Sequence, residues 1–129
     1  MASITIASGK FAAYRTDDTS GAIPFVNILA EADGAASGFQ DLNGKVWIFY
    51  ITGGILYCKI STDTIGSAYG APITIESADI VDGIPGCQQL STGRVICTYW
   101  KTVSTVDTWF QAVSDDYGAT WTKSEITTA

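Results

Sequence analysis

The chain has 129 residues, 47% hydrophobic and 16% charged, with 7 basic and 13 acidic side chains. That length holds one domain, and that balance describes a globular chain of low charge, not a disordered one. A net charge of −6 argues against nucleic acid and anionic membrane as partners, and the lack of histidine argues against a zinc site.

Taken in chain order, the opening residues lack the basic start and apolar core of a signal peptide. Synthesis in a reducing cytoplasm is therefore expected, with Cys58, Cys87 and Cys97, odd in number, as buried free thiols on strands and a single disulfide among them as the alternative. Residues 4–7, 11–15 and 25–30 each read as a short strand, and the polar run 17–21 reads as a turn. Nothing in residues 1–35 recurs later, so they form a separate N-terminal β segment, an arm or part of a further unit. Strands follow at 36–41, 45–52, 55–61 and 71–77, and again at 85–90, 94–102, 107–114 and 122–127. Residues 46–51 are apolar throughout, which fits a strand covered on both faces. Asn43-Gly44, Gly53-Gly54 and Thr92-Gly93 read as short hairpin turns, and 102–107 as a long loop. No amphipathic helix is read anywhere. The longest apolar stretch, 46–58, is broken by Gly53-Gly54 and is too short to span a bilayer, so no membrane insertion is expected.

These two sets of strands are copies of one another. Gly38 and Gly86 are 48 residues apart, Tyr50 and Tyr99 are 49 apart, and Ser61 and Ser114 are 53 apart. The drift places one inserted residue in the second copy's first hairpin and about four between its second and third strands. A period near 50 residues with four short strands per unit is the signature of a propeller blade. The units are 36–81 and 82–129.

Each unit carries a turn motif between its third and fourth strands. Ser114, Asp116, Gly118, Thr120 and Trp121 read S-x-D-x-G-x-T-W. Ser61, Asp63, Gly66 and Tyr69 form an irregular copy with one extra residue before the glycine. Ser and Asp oxygens can accept backbone N–H groups within such a turn, glycine permits positive φ, and the closing aromatic ring can fold beneath it. Trp121, and more mildly Tyr69, should act as buried anchors. The pattern resembles the Asp box, or BNR repeat, of sialidase-like β-propellers. The resemblance covers about residues 36–128. It implies an all-β propeller of six blades, with the boxes marking the fold at the end away from the active face.

Two blades do not close a ring, and they leave apolar faces and sheet edges in water. Three copies of two blades would make six, so a homotrimer is expected, with a ring completed by another chain as the rival. Trp47, Phe49, Trp109 and Phe110 are the leading candidates for contacts between blades.

The sialidase resemblance implies three arginines on the substrate carboxylate, a Tyr–Glu nucleophile pair and an aspartic acid. This chain has two arginines, Arg15 and Arg94, and the set does not carry over. Other glycosidase chemistry needs two carboxylates about 5–10 Å apart. Asp33, Asp79 and Asp82 lie in connections opposite the boxes, although Asp beside Gly usually caps a turn. Carbohydrate binding fits Trp100 as a ring beneath a sugar, with Lys101 and Asp82 around the hydroxyls. The plainer role for Trp100 is packing between blades. Gln40 and Gln88 recur on the inner strands and would line a central channel, as a structural ring or as ligand contacts. No cofactor or metal is expected. The reading that follows is a non-enzymatic glycan-binding or structural module, such as a bacteriophage capsid-decoration or tail component meeting surface glycans and other virion proteins. A free-standing lectin and a sialidase-like glycoside hydrolase are the alternatives.

Overall fold

The structure is a computed structural model. It describes residues 2–7, 10–15 and 26–29 as backbone, and residues 36–126 with side chains except those of Ile80 and Ile84. The expected turn at 17–21 and Asp33 lie outside the described residues, as does the Arg15 side chain.

Eleven strands and no helix are found among the described residues. β1 (Ala2–Ala7), β2 (Lys10–Arg15) and β3 (Val26–Leu29) form an N-terminal three-stranded sheet. β4 (Ala36–Gln40), β5 (Val46–Thr52), β6 (Ile55–Ile60) and β7 (Ile73–Glu76) form a middle sheet in sequence order. β8 (Ile80–Gln89), β9 (Val95–Val103), β10 (Val106–Ser114) and β11 (Thr122–Glu125) form a C-terminal sheet, also in sequence order. Every pairing is antiparallel. No helix is long and apolar enough to cross a membrane among the described residues.

The middle and C-terminal sheets pack face to face. Trp47, Phe49 and Ile51 of β5 meet Val95, Cys97 and Tyr99 of β9, with Leu56, Cys58, Ile75 and Ala112 completing the core. Side chains alternate faces along a strand, so Val46, Ile48 and Tyr50 point the other way, yet they too are buried. Strand β5 is thus covered on both sides, which is why its sequence is an unbroken apolar run. Phe110 packs against the core, whereas Trp109 is 51% exposed.

Three local expectations are corrected. The hairpins after β4 and β8 have equal length. Asp41 N–H donates to Lys45 O and Gly44 N–H to Asp41 O, while Leu90 N–H donates to Arg94 O and Gly93 N–H to Leu90 O. The amide of Gln40 donates to Gly44 O at 3.0 Å and that of Gln89 to Gly93 O at 3.2 Å. Gln89, not Gln88, is therefore the counterpart of Gln40. Next, residues 102–107 are not a long loop. Strands β9 and β10 run on to pair Val103 with Val106. A tight turn at Ser104-Thr105 joins them, both at positive φ. The extra residues of the second unit lengthen its strands to 9 residues each, against 7 and 6 in β5 and β6. Finally, β8 begins at Ile80, and Asp82-Gly83 sits in a bulge rather than a turn. The Asp82 carboxylate accepts the Gly83 N–H at 2.7 Å, and Gly83 has φ +83.

The turn motifs hold themselves by their own carboxylates. Asp63 Oδ1 accepts the N–H groups of Ile65, Gly66 and Ser67. Asp116 Oδ1 accepts Thr120 N–H, and Ser114 Oγ accepts Gly118 N–H, both at 2.8 Å. Trp121 is half-buried, with its ring edge-on to Phe49 at 6.2 Å. The second turn also docks onto the middle sheet. Asp41 Oδ2 accepts Trp47 Nε1–H at 2.7 Å and the hydroxyl of Tyr117, while Oδ1 accepts the N–H groups of Asn43 and Lys45.

Cys58 and Cys97 are buried, Cys87 is partly buried, and all three are free. Burial pushes the Cys58 thiol up to about 12 and the Cys87 thiol up to about 11. Cys97 is also raised by burial, with the neighbouring thiols adding to the effect. Thiolate is the reactive form. A thiol reagent at mildly alkaline pH should label the native protein slowly, Cys87 first, and label all three sites quickly in denaturant. Rapid native labelling of Cys58 and Cys97 would contradict the packing.

Candidate functional site

Chemistry-bearing side chains gather at the end of the sheets opposite the turn motifs. Glu76 closes β7, and β9 brings Tyr99, Trp100 and Lys101 to the same level. The connection into β8 supplies Asp79, and the start of β8 supplies Asp82. Val81 N–H bonds Gly54 O at 2.9 Å, tying that connection to the β5–β6 turn.

Glu76 is 2% exposed and accepts five donors. Oε1 takes the N–H groups of Ser77 and Ala78 and the ammonium of Lys123. Oε2 takes the Tyr99 hydroxyl and the Lys101 ammonium, both at 3.1 Å. Burial alone would raise this carboxyl, but the Ala78 N–H, Lys101 and Tyr99 overcome it and hold Glu76 down at about 2. Its charge and bonds in turn push the Tyr99 hydroxyl up, in the same direction as burial. Lys101 is buried too, at 6% exposure. Its ammonium lies over the Phe110 ring at 4.5 Å and meets Asp79 at 3.3 Å.

Asp79 and Asp82 are exposed. Asp79 holds φ +60, a conformation that costs a non-glycine residue about 1 kcal/mol or more. Its contact with Lys101 offsets part of that cost. Both Asp79 and Glu76 touch one ammonium, so the three groups form a single charged cluster with one buried and one open carboxylate. Trp100 stands directly across from Asp82 on the neighbouring strand. Its indole covers Gly83 so closely that a Cβ there would fall 2.2 Å from Nε1. Only glycine fits beneath that ring.

The residues expected from sequence to meet a ligand are thus divided. Asp82 and Trp100 lie together on the outer face of the C-terminal sheet. Lys101 points the other way, into the interface between sheets. Gln40 sits at the opposite end, bonded to its own hairpin. Gln88 is exposed on the outer face beside a shallow hollow of ≈ 300 Å³. Sequence reading missed Glu76, whose only signal was a carboxylate closing a short strand with two isoleucines. Arg94 is engaged in a two-pronged ion pair with Asp115, at 2.7 and 2.9 Å. Among the described residues no group of three His, Cys, Asp or Glu side chains could hold a metal ion.

Fold and site define an all-β protein of successive antiparallel sheets, the middle and C-terminal ones packed face to face, with a charged cluster at one end. No protein-family model matches the chain, and no curated protein matches it. Among solved structures it is similar to an endo-arabinase from Bacteroides thetaiotaomicron VPI-5482, with a TM-score of 0.54 and 16% identity. The match covers 97% of this chain and 61% of that one, so this chain spans less than two thirds of the enzyme's length. It takes in the N-terminal sheet along with the other two. This likeness overturns the expectation of a non-enzymatic glycan-binding or structural module, because a solved protein similar to this chain in fold is an endo-arabinase, a glycoside hydrolase.

Proposed function

We propose that the three sheets are blades of a β-propeller that hydrolyses glycosidic bonds, with an arabinan as the first substrate class to try. The likeness to the endo-arabinase over 97% of the chain carries this reading. The acidic cluster supports it chemically. Glycoside hydrolysis uses two carboxylates about 5–10 Å apart on either side of the scissile bond. Glu76 is buried and saturated with donors, so its part is to hold Lys101. Lys101 in turn positions Asp79. Asp79 and Asp82 are the exposed carboxylates at this end, Asp79 beside Lys101 and Asp82 across from Trp100. Among the described residues a sialidase reading finds no support, since Arg94 is occupied at the far end.

The test is release of reducing ends from arabinan and from a panel of other polysaccharides. Asp79→Asn and Asp82→Asn should each keep the thermal transition of the wild type and lose turnover by about 100-fold or more. Absence of turnover on every polysaccharide would overturn the proposal, and so would full activity in both variants.

A further inference from the structure

The three cysteines lie on three strands, yet the fold gathers them. Cys58 is on β6, Cys87 on β8 and Cys97 on β9. Cys87 and Cys97 stand directly opposite each other in the antiparallel β8–β9 pair. The hairpin that joins those strands closes with the bond from Leu90 N–H to Arg94 O. Hydrogen-bonded and non-hydrogen-bonded pairs alternate along an antiparallel ladder. The register runs unbroken from there through Gln89–Val95 and Gln88–Ile96, so the cysteine pair falls on a non-hydrogen-bonded position. Cα atoms at such a position are roughly 4.5 Å apart and the side chains approach closely, inside the span of a disulfide. Cys58 is placed differently. It belongs to the facing sheet, and packed sheets stand about 10 Å apart, beyond the limit of about 7 Å between the Cα atoms of a bridged pair.

The pair is particular to the C-terminal sheet. Gln40 is the counterpart of Gln89, and Val46 of Val95, so the middle sheet sets Gly38 opposite Ile48 at the same place. One large side chain fills the space there, where two thiols share it here. Cys87 also has a second neighbour. Its Sγ lies 3.3 Å from Ser37 Oγ. The Ser37 hydroxyl donates its one hydrogen to Pro85 O, so in the contact with sulfur the thiol is the donor. That bond runs from β8 to β4 and joins the two sheets.

We propose that Cys87 and Cys97 are an oxidisable pair, a redox-sensitive lock that exchanges a hydrogen bond between sheets for a covalent link within one sheet. The oxidant is a peroxide. Cys87 is the least buried of the three thiols and reacts first. Its sulfur attacks one oxygen, the O–O bond breaks, and a sulfenic acid and one water form. The sulfur of Cys97 then displaces the hydroxyl of that sulfenic acid, which leaves with the Cys97 proton as a second water while the S–S bond forms. The two thiols together lose two electrons and the peroxide gains them. Burial keeps both thiols protonated, so closure is slow and answers sustained exposure. Once it is complete, Ser37 has lost the thiol donor and β8 is tied to β9. This inference stands on strand register and does not depend on the hydrolase reading.

The test is incubation of the full chain with hydrogen peroxide, followed by intact mass and peptide mapping. The wild type should lose two hydrogen atoms per chain, carry Cys87 joined to Cys97, and regain both thiols in dithiothreitol. Cys58→Ser should form the same link. Cys97→Ser should stop at the sulfenic acid of Cys87, which dimedone traps. If either variant fails to fold, the wild-type map decides alone. Amide exchange along residues 87–97 should be slower in the oxidised chain than in the reduced one. A link that includes Cys58, a link between two chains, three thiols that survive peroxide in the folded chain, or exchange that oxidation leaves unchanged would each overturn the proposal.

Discussion

Trp47→Ala should remove about 3–5 kcal/mol of stability, the range for deleting a large buried ring. Trp47 has no exposed surface, and it joins parts of the chain that are far apart in sequence. Phe39 stacks on it at 5.6 Å, and Tyr117 meets it edge-on at 5.0 Å. Gly118, at φ +84, lies so close that a Cβ would come within 3.2 Å of the indole. The Trp47 indole N–H donates to Asp41, a buried carboxylate that also orders the β4–β5 hairpin and receives the Tyr117 hydroxyl. Alanine would open a cavity and leave one oxygen of Asp41 short of a donor, so both costs fall together. Trp47→Phe should lose less, about 1–3 kcal/mol, because most of the ring volume stays. Trp121→Ala should also lose less than Trp47→Ala, since Trp121 is only half-buried. Urea titration reads these differences as shifts in midpoint at constant slope. A loss under about 1 kcal/mol for Trp47→Ala would show that the second turn motif does not depend on this ring.

Sequence made the middle strands legible because their signals are local. Strand β5 announces itself by an unbroken apolar run, and Gly53-Gly54 marks its turn with two residues that both take positive φ. Ser104-Thr105 makes the same kind of turn without glycine, so that hairpin read as a loop. The Asp82 bulge read as a turn for the opposite reason: Asp-Gly is common in turns, and only the Trp100 ring packed over Gly83 reveals the bulge. Tyr50 and Tyr99 recur in the repeat and share one face, while Gln40 aligned with Gln88 because a one-residue slip is nearly invisible where both neighbours are glutamine.

The charged cluster was illegible for a deeper reason. A Lys or Glu in a strand reads as solvent-facing, and each is buried here only because the other is. Glu76 and Lys101 are 25 residues apart and come from different sheets. Asp41 and Tyr117 are 76 apart. Neither pairing has a local signature. The function expected from sequence failed similarly. It weighed the turn motifs, which hold themselves and one inter-sheet contact, above the opposite end, where the open carboxylates stand.

Glu76→Ala should cost about 3–5 kcal/mol, the range for leaving one member of a buried ion pair without its partner. Lys101 would keep only Asp79 and the Phe110 ring, and Tyr99 would lose its acceptor. Lys101→Met in the same chain should recover much of the loss, because two charges removed together leave no uncompensated one behind. The network also carries an acid signature. A carboxyl held at about 2 in the folded state, against an ordinary 4.5, contributes stability that is fully present above about pH 4.5. That contribution drains away as pH falls toward 2, since the unfolded chain takes up the proton first. The amount at stake is on the order of 3 kcal/mol. Asp63, Asp115 and Asp116 are also held below their ordinary range, by bonds to Ser67, Arg94 and Thr120. Wild-type stability alone would therefore mix several carboxylates. The difference between wild type and Glu76→Gln isolates this one: it should be largest near neutral pH and shrink as the solution is acidified through pH 4. A difference that stays constant from pH 7 to pH 3 would show that Glu76 holds the two sheets together by shape and not by charge.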